Sequence, residues 1–295
     1  MTGMDNWDEE LQNTRYQQIE QLIAWKKLEE ARKLAVSLIQ DTPDDPNAIA
    51  LLAHICLHQD QYDQALHWAG QSLRHDPENT LAWFVRSNTY YTMEHWKSAM
   101  EAIVEGQRID PYEPHYFFLR ANICNKTSKF EEARDLLLKA LEISPENALY
   151  LANLSYNEAL LRHFPESRLL ASKALRLEVE SDLVYLYLAW SAERRNDYDD
   201  YLNMLKNAIR LDPDDQQIRK EYMEGLQKTY KLYRVLLYPS SLAKRMKPWQ
   251  VLVIWIGLWI IFRPLVIVFI VLYYATYWIT RLMVHVKLFG WNFRR

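Results

Sequence analysis

The chain is 295 residues long, room for one or two domains, and its net charge of -3 conceals a division. Eleven of the 35 Lys and Arg and none of the 38 Asp and Glu fall in residues 225–295, so residues 1–224 hold 24 basic against 38 acidic residues, the wrong sign for nucleic-acid binding. Two cysteines make neither a secretory disulfide framework nor a zinc site, and six isolated glycines build no phosphate-cradling loop.

Residues 1–11 read as a short polar lead, with room for one turn of helix after Asp5. No basic patch is followed by an apolar run, so no signal peptide is expected. From residue 12 onward three columns recur every 34 residues. Large apolar residues stand at Leu28, Tyr62, Trp96, Phe130, Phe164 and Tyr198. Small residues stand at Ala31, Ala65, Ala99, Ala133 and Ser167, with Tyr201 the exception; prolines stand at Pro43, Pro77, Pro111, Pro145 and Pro213, with Val179 in the fifth place. A repeat of this length cannot bury its own apolar face and must stack on copies of itself. The units are 12–45, 46–79, 80–113, 114–147, 148–181 and 182–215.

Each junction joins a stop signal to a start signal. The proline ends a second helix; the acidic and amide residues after it, such as Asp44 and Asp45, Glu78 and Asn79, or Glu146 and Asn147, suit the first turn of the next. Ala53, Ser87, Ala121, Ser155 and Ala189 form a further small column where first helices cross closely. Cys56 and Cys124 share one repeat position two units apart and are expected in the core, unbridged. In 148–181, Pro165 falls in a helical first turn, where it is tolerated.

With Trp83, Ser87, Tyr90, Ala99, Ile103 and Pro111 in one unit, and Tyr185, Leu188, Ala189, Leu205, Ala208 and Pro213 in another, the chain resembles the tetratricopeptide repeat family over residues 12–215. The resemblance implies an all-α fold: a right-handed α-solenoid of about six helix pairs. Residues 216–238, with Ile218, Tyr222, Leu226, Tyr230, Tyr233 and Leu237 at spacings of three and four, form one amphipathic helix that would cap it.

A basic joint, residues 239–248, carries Lys244, Arg245 and Lys247. Residues 249–280 then run almost wholly apolar, broken only by Arg263 and Pro264, with no polar face. They are expected in a membrane, either as a hairpin bent at Arg263-Pro264 or as one span, so that one or two transmembrane helices follow the repeats. Trp249 and Trp278 would sit at the interfaces with Lys244, Arg245, Lys247, Arg263 and Arg281, and residues 281–295 would form a basic interfacial tail. This places the protein as an integral membrane protein with its repeats on the cytoplasmic side.

By the same resemblance, first-helix residues line a concave peptide-binding groove: His54, His58, Phe84, Asn88, Tyr91, His115, Phe118, Asn122, Asn125, Asn153, Tyr156, Trp190 and Glu193. Side-chain amides can pair with an extended peptide backbone while the rings supply apolar contact. Asn122 and Asn153 match the amide part of a family clamp for a carboxylate-ended chaperone tail, but its basic positions read Leu183 and Tyr187 here. The expected function is a membrane-anchored scaffold, not an enzyme, whose partners are a protein or peptide segment and membrane lipid, with no cofactor. Two other readings stay open: an accessory subunit docking to a membrane complex through its C-terminal helices, and a metal-dependent enzyme using His54 and His58, one helical turn apart.

Overall fold

The computed structural model describes residues 4–177, 181–229 and 263–289, all helices and short turns. The chain divides into two compact units, Met1–Pro145 and Glu146–Arg295. The first holds α1 (Met4–Ala24), α2 (Leu28–Asp41), α3 (Pro46–His58), α4 (Tyr62–His75), α5 (Thr80–Thr92), α6 (Trp96–Ile109), α7 (Pro114–Lys126) and α8 (Phe130–Ile143). The second holds α9 (Ala148–Leu160), α10 (Phe164–Arg176), α11 (Asp182–Arg194), α12 (Tyr198–Leu211), α13 (Gln216–Thr229) and α14 (Arg263–Phe289). Within each unit, consecutive helices pack as pairs, and first helices pack on one another, α3 on α5 and α9 on α11.

Local chemistry sets the helix ends at the repeat interval. Side chains of Asp45, Asn79, Glu113, Asn147 and Asp215 accept hydrogen bonds from backbone N–H groups two or three residues on, at 2.7–3.2 Å. α2, α4, α6, α8 and α12 each stop two residues before their proline. The turn inside every pair places one residue in the left-handed region: Lys26, Asp60, Glu94, Ser128, Arg162 and Asn196, with φ of 57–67°. Asn79 does double duty, since its Nδ2 also donates to Asn47 Oδ1 at 2.8 Å and ties the cap of α5 to the first turn of α3. Asn79→Ala is expected to lower stability by about 1.5 kcal/mol, read as an unfolding midpoint shift; no shift would mean that neither contact contributes to stability.

The small columns are buried as expected: Ala31, Ala65, Ala99, Ala133, Ser167, Ala53, Ser87, Ala121, Ser155 and Ala189 are closed to solvent. The exception, Tyr201, is buried too, and room for it comes from Gly225 on α13, where a Cβ would come within 2.6 Å of the Tyr201 ring. Cys56 and Cys124 are buried free thiols.

Two expectations change, at the polar lead and at the start of the C-terminal tail, and others reach beyond the described residues. The polar lead is largely helical, because α1 begins at Met4 in an acidic stretch that suits a helix N-terminus and lacks Gly or Pro up to its end. The capping helix packs on α12 and buries Ile218, but is described only to Thr229; residues 230–238, the joint 239–248, residues 249–262, the proline-column Val179 and residues 290–295 lie outside the described residues. Among the described residues no helix is long and apolar enough to cross a membrane. Between Arg263 and Arg281 only 17 uncharged residues intervene, about 25 Å of helix against a hydrocarbon core of about 30 Å. α14 also continues through residues 281–289, into the stretch expected as a tail.

Candidate protein-interaction face

In the first unit the first helices bring five rings into one row. On α3, the Nε2 atoms of His54 and His58 are 3.2 Å apart, their ring centroids 4.7 Å. Phe84 of α5 meets His54 edge-on at 6.0 Å, His115 of α7 lies 4.9 Å from Phe84, and Phe118 stacks on His115 at 5.4 Å. Tyr91 packs separately, against Trp96 at 5.6 Å. Phe84, His54 and His115 are half-buried, His58 is exposed and Phe118 buried.

Asn88 orients this row. Its Nδ2 donates to the Phe84 carbonyl at 2.8 Å, which turns Oδ1 toward His115 Nε2, also at 2.8 Å. His115 therefore carries its proton on Nε2. Burial pushes the His115 imidazole down to about 4. Burial, with the neighbouring His58, does the same to His54, again to about 4; His58 is lowered by burial and Lys26, with Asp60 opposing. The row is therefore uncharged at neutral pH. Among the described residues no group of three His, Cys, Asp or Glu is placed to hold a metal ion, so the His54–His58 pair gains no third ligand.

In the second unit, Tyr156 of α9 and Tyr187 and Trp190 of α11 make a separate ring cluster, with centroids 5.2–6.2 Å apart. The indole Nε1–H of Trp190 donates to Glu221 Oε2 of α13 at 2.7 Å, and Gln217 Nε2 donates to Glu221 Oε1 at 3.1 Å. Glu193 lies one turn past Trp190 and is half-buried.

Not all the expected groove residues are surface groups. Asn122 is 4% exposed and Asn153 fully buried, so both amides belong to the interior, while Asn88 and Asn125 stay half-buried. Asn122 shares the repeat position of Asn88, and only packing separates them. Gln217 and Glu221 were not anticipated, their spacing on one face of α13 being the available signal, whereas Tyr187 stands at a position that the clamp comparison had singled out.

On α14 the exposed and covered faces are reversed from those of a water-facing helix. Val268, Ile270, Val271, Leu272, Tyr274, Trp278, Ile279 and Leu282 are exposed, Val271 by 61% and Trp278 by 63%, whereas Thr276 and Thr280 are covered. Both threonine hydroxyls bond back to carbonyls of their own helix, Leu272 and Thr276. The exposed positions span an arc of roughly 200° at about 100° per residue, and Arg281, its guanidinium 5.9 Å over the Trp278 ring, is the one charge among the side chains described as exposed on it. Arg263 is the first residue of α14; Lys244, Arg245, Lys247 and Trp249 lie outside the described residues.

Residues 24–106 match the family model of ANAPC3, the anaphase-promoting complex, cyclosome, subunit 3, and residues 114–147 match the tetratricopeptide repeat model. No curated protein matches the chain significantly in sequence. Among solved structures, the crystal structure of the APC/C hetero-tetramer Cut9–Hcn1 aligns at 15% identity and a TM-score of 0.62. The alignment covers 73% of this chain and 43% of that one, so this chain spans less than half of that relative's length. A tetratricopeptide repeat protein from Parabacteroides merdae aligns at 11% identity and a TM-score of 0.59, over 72% of this chain and 84% of that one. PilF of Pseudomonas aeruginosa aligns at 15% and 0.55, over 73% and 98%. At these identities the likeness is one of fold. The match to the tetratricopeptide repeat model at residues 114–147 and the fold shared with these structures support a tetratricopeptide-type helical repeat, and no catalytic family is indicated.

Proposed function

We propose that this protein is an interaction scaffold that takes a protein segment along the ring row of its first unit and is held at a membrane by residues 249–280, its repeats on the cytoplasmic side. The observation that carries the reading is the row itself: half-buried His54, Phe84 and His115, contributed by three successive first helices and held in line by Asn88, leave apolar ring surface partly open. Rings and an amide on parallel helices suit an extended segment, whose backbone the amide can pair with and whose side chains the rings can cover. The membrane half is supported by the apolar run of residues 249–280 and by the exposed apolar arc of α14, whose covered threonines satisfy themselves within the helix. Tethering raises local concentration, so a weak groove suffices.

The test places a photoreactive residue at Phe84 or, as control, at exposed Val104 on α6. Discrete adducts from Phe84 alone, lost in Asn88→Ala, are the expected result; matching patterns from both positions would remove the row from the mechanism. In parallel, the full chain should float with lipid vesicles and residues 1–224 should not. The exposed arc of α14 also fits a second reading, an accessory subunit docked to a membrane complex, which requires residues 225–295 alone to retain the partner.

A further inference from the structure

We infer that the ring cluster of the second unit receives an arginine side chain of a basic protein segment, its guanidinium lying against the half-exposed Tyr156 and Trp190 and paired with Glu221. The inference rests on reading the repeats as a protein-binding scaffold and adds the chemistry of one contact. Trp190 and Tyr156 present aromatic faces 5.7 Å apart by centroid, and indole is the strongest aromatic partner for a cation. Glu221 stands at the edge of the same indole, bonded to its Nε1–H. Its two hydrogen-bond donors, Trp190 and Gln217, are both neutral, so neither cancels its charge. A planar guanidinium can stack on a ring and reach a carboxylate in the same pose; a lysine ammonium cannot do both equally well.

The occupant follows from charge. Residues 1–224 hold 38 acidic against 24 basic residues, so the repeats attract a basic segment. Around this face the bias is local. The buried Tyr201 hydroxyl, which donates to the Glu221 carbonyl, is raised above its usual range by burial and then by the charges of Glu193, Glu221 and Glu224. The basic side chains on the same helices are Arg194, Arg219, Lys220 and Lys228, and Arg219 pairs with Asp214 at 3.4 Å. The ring row of the first unit differs in kind, being uncharged at neutral pH.

The experiment uses the full chain in detergent micelles and a fluorescein-labelled glycine-serine peptide bearing arginine, against the same peptide bearing citrulline, followed by anisotropy. The arginine peptide is expected to bind about ten-fold more tightly than its neutral isostere, and Glu221→Gln or Trp190→Leu to remove most of that difference. Glu221→Gln keeps an acceptor for the indole and so guards against a folding artefact. Glu131→Gln with Glu132→Gln, exposed on α8, is the control and should change nothing. Equal binding of the two peptides, or an equal loss in the α8 control, overturns the inference. If adducts from Phe84 persist while the arginine preference is absent, this inference alone fails; absence of both removes the scaffold reading as well.

Discussion

Acidification from pH 7 to about pH 5 is expected to cost the first unit about 4 kcal/mol, roughly 2 kcal/mol each from His54 and His115. Both imidazoles sit near 4 in the folded chain because burial disfavours their charged forms, against an ordinary value of 6.5. The unfolded chain therefore binds protons first. Stability is complete above pH 6.5 and is lost as pH falls toward 4, the sign opposite to that of a histidine held by a carboxylate. His58, lowered by burial and Lys26 though opposed by Asp60, acts in the same direction. Urea midpoints at the two pH values measure the loss, and His115→Gln, which keeps a donor for Asn88, should flatten about half of it. A midpoint that does not move between pH 7 and 5 would mean that these rings are open to water.

Gly106→Ala should destabilise the first unit by about 2 kcal/mol, although alanine is the better helix former by about 1 kcal/mol. A Cβ at Gly106 on α6 would lie 2.3 Å from Cζ and 2.4 Å from the hydroxyl oxygen of Tyr116 on α7. The Tyr116 ring is only 2% exposed and has nowhere to swing. Removing the hydroxyl in Tyr116→Phe leaves the Cζ contact and should not rescue. Tyr116→Leu costs stability through its own cavity, yet Gly106→Ala added to it should cost little. The double variant is thus expected to be more stable than the sum of the single losses by about 1 kcal/mol or more. Additive losses would place the cause elsewhere. The same device recurs in the second unit, where Gly225 makes room for Tyr201, so one close contact between a glycine and a buried ring serves two junctions.

The chemistry of the candidate face follows from these packing facts. Asn88 acts through its carbonyl oxygen on His115, whereas Asn122, one repeat on, lies in the interior. In the second unit, Glu221 holds Trp190 from α13, the helix beyond the last repeat, so the capping helix contributes to the face as well as covering α12. That contact joins residues 31 apart in sequence, and no column of the repeat leads to it.

What the sequence determined by itself is whatever nearest neighbours decide. Proline stops, acidic and amide caps and the alanine and serine columns act within a turn or two of helix, and their 34-residue recurrence was enough to indicate helix pairs and the buried small residues. The side-chain environments belong to tertiary structure. Asn88 and Asn122 share a repeat position yet differ in burial; Tyr201 stands in an alanine column and depends on Gly225; and the threonines of α14 are covered while its valines and leucines face outward. Burial depends on which atoms of distant residues fill the surrounding space, and a periodic pattern specifies the position of a residue on its own helix but not the volume its neighbours leave open.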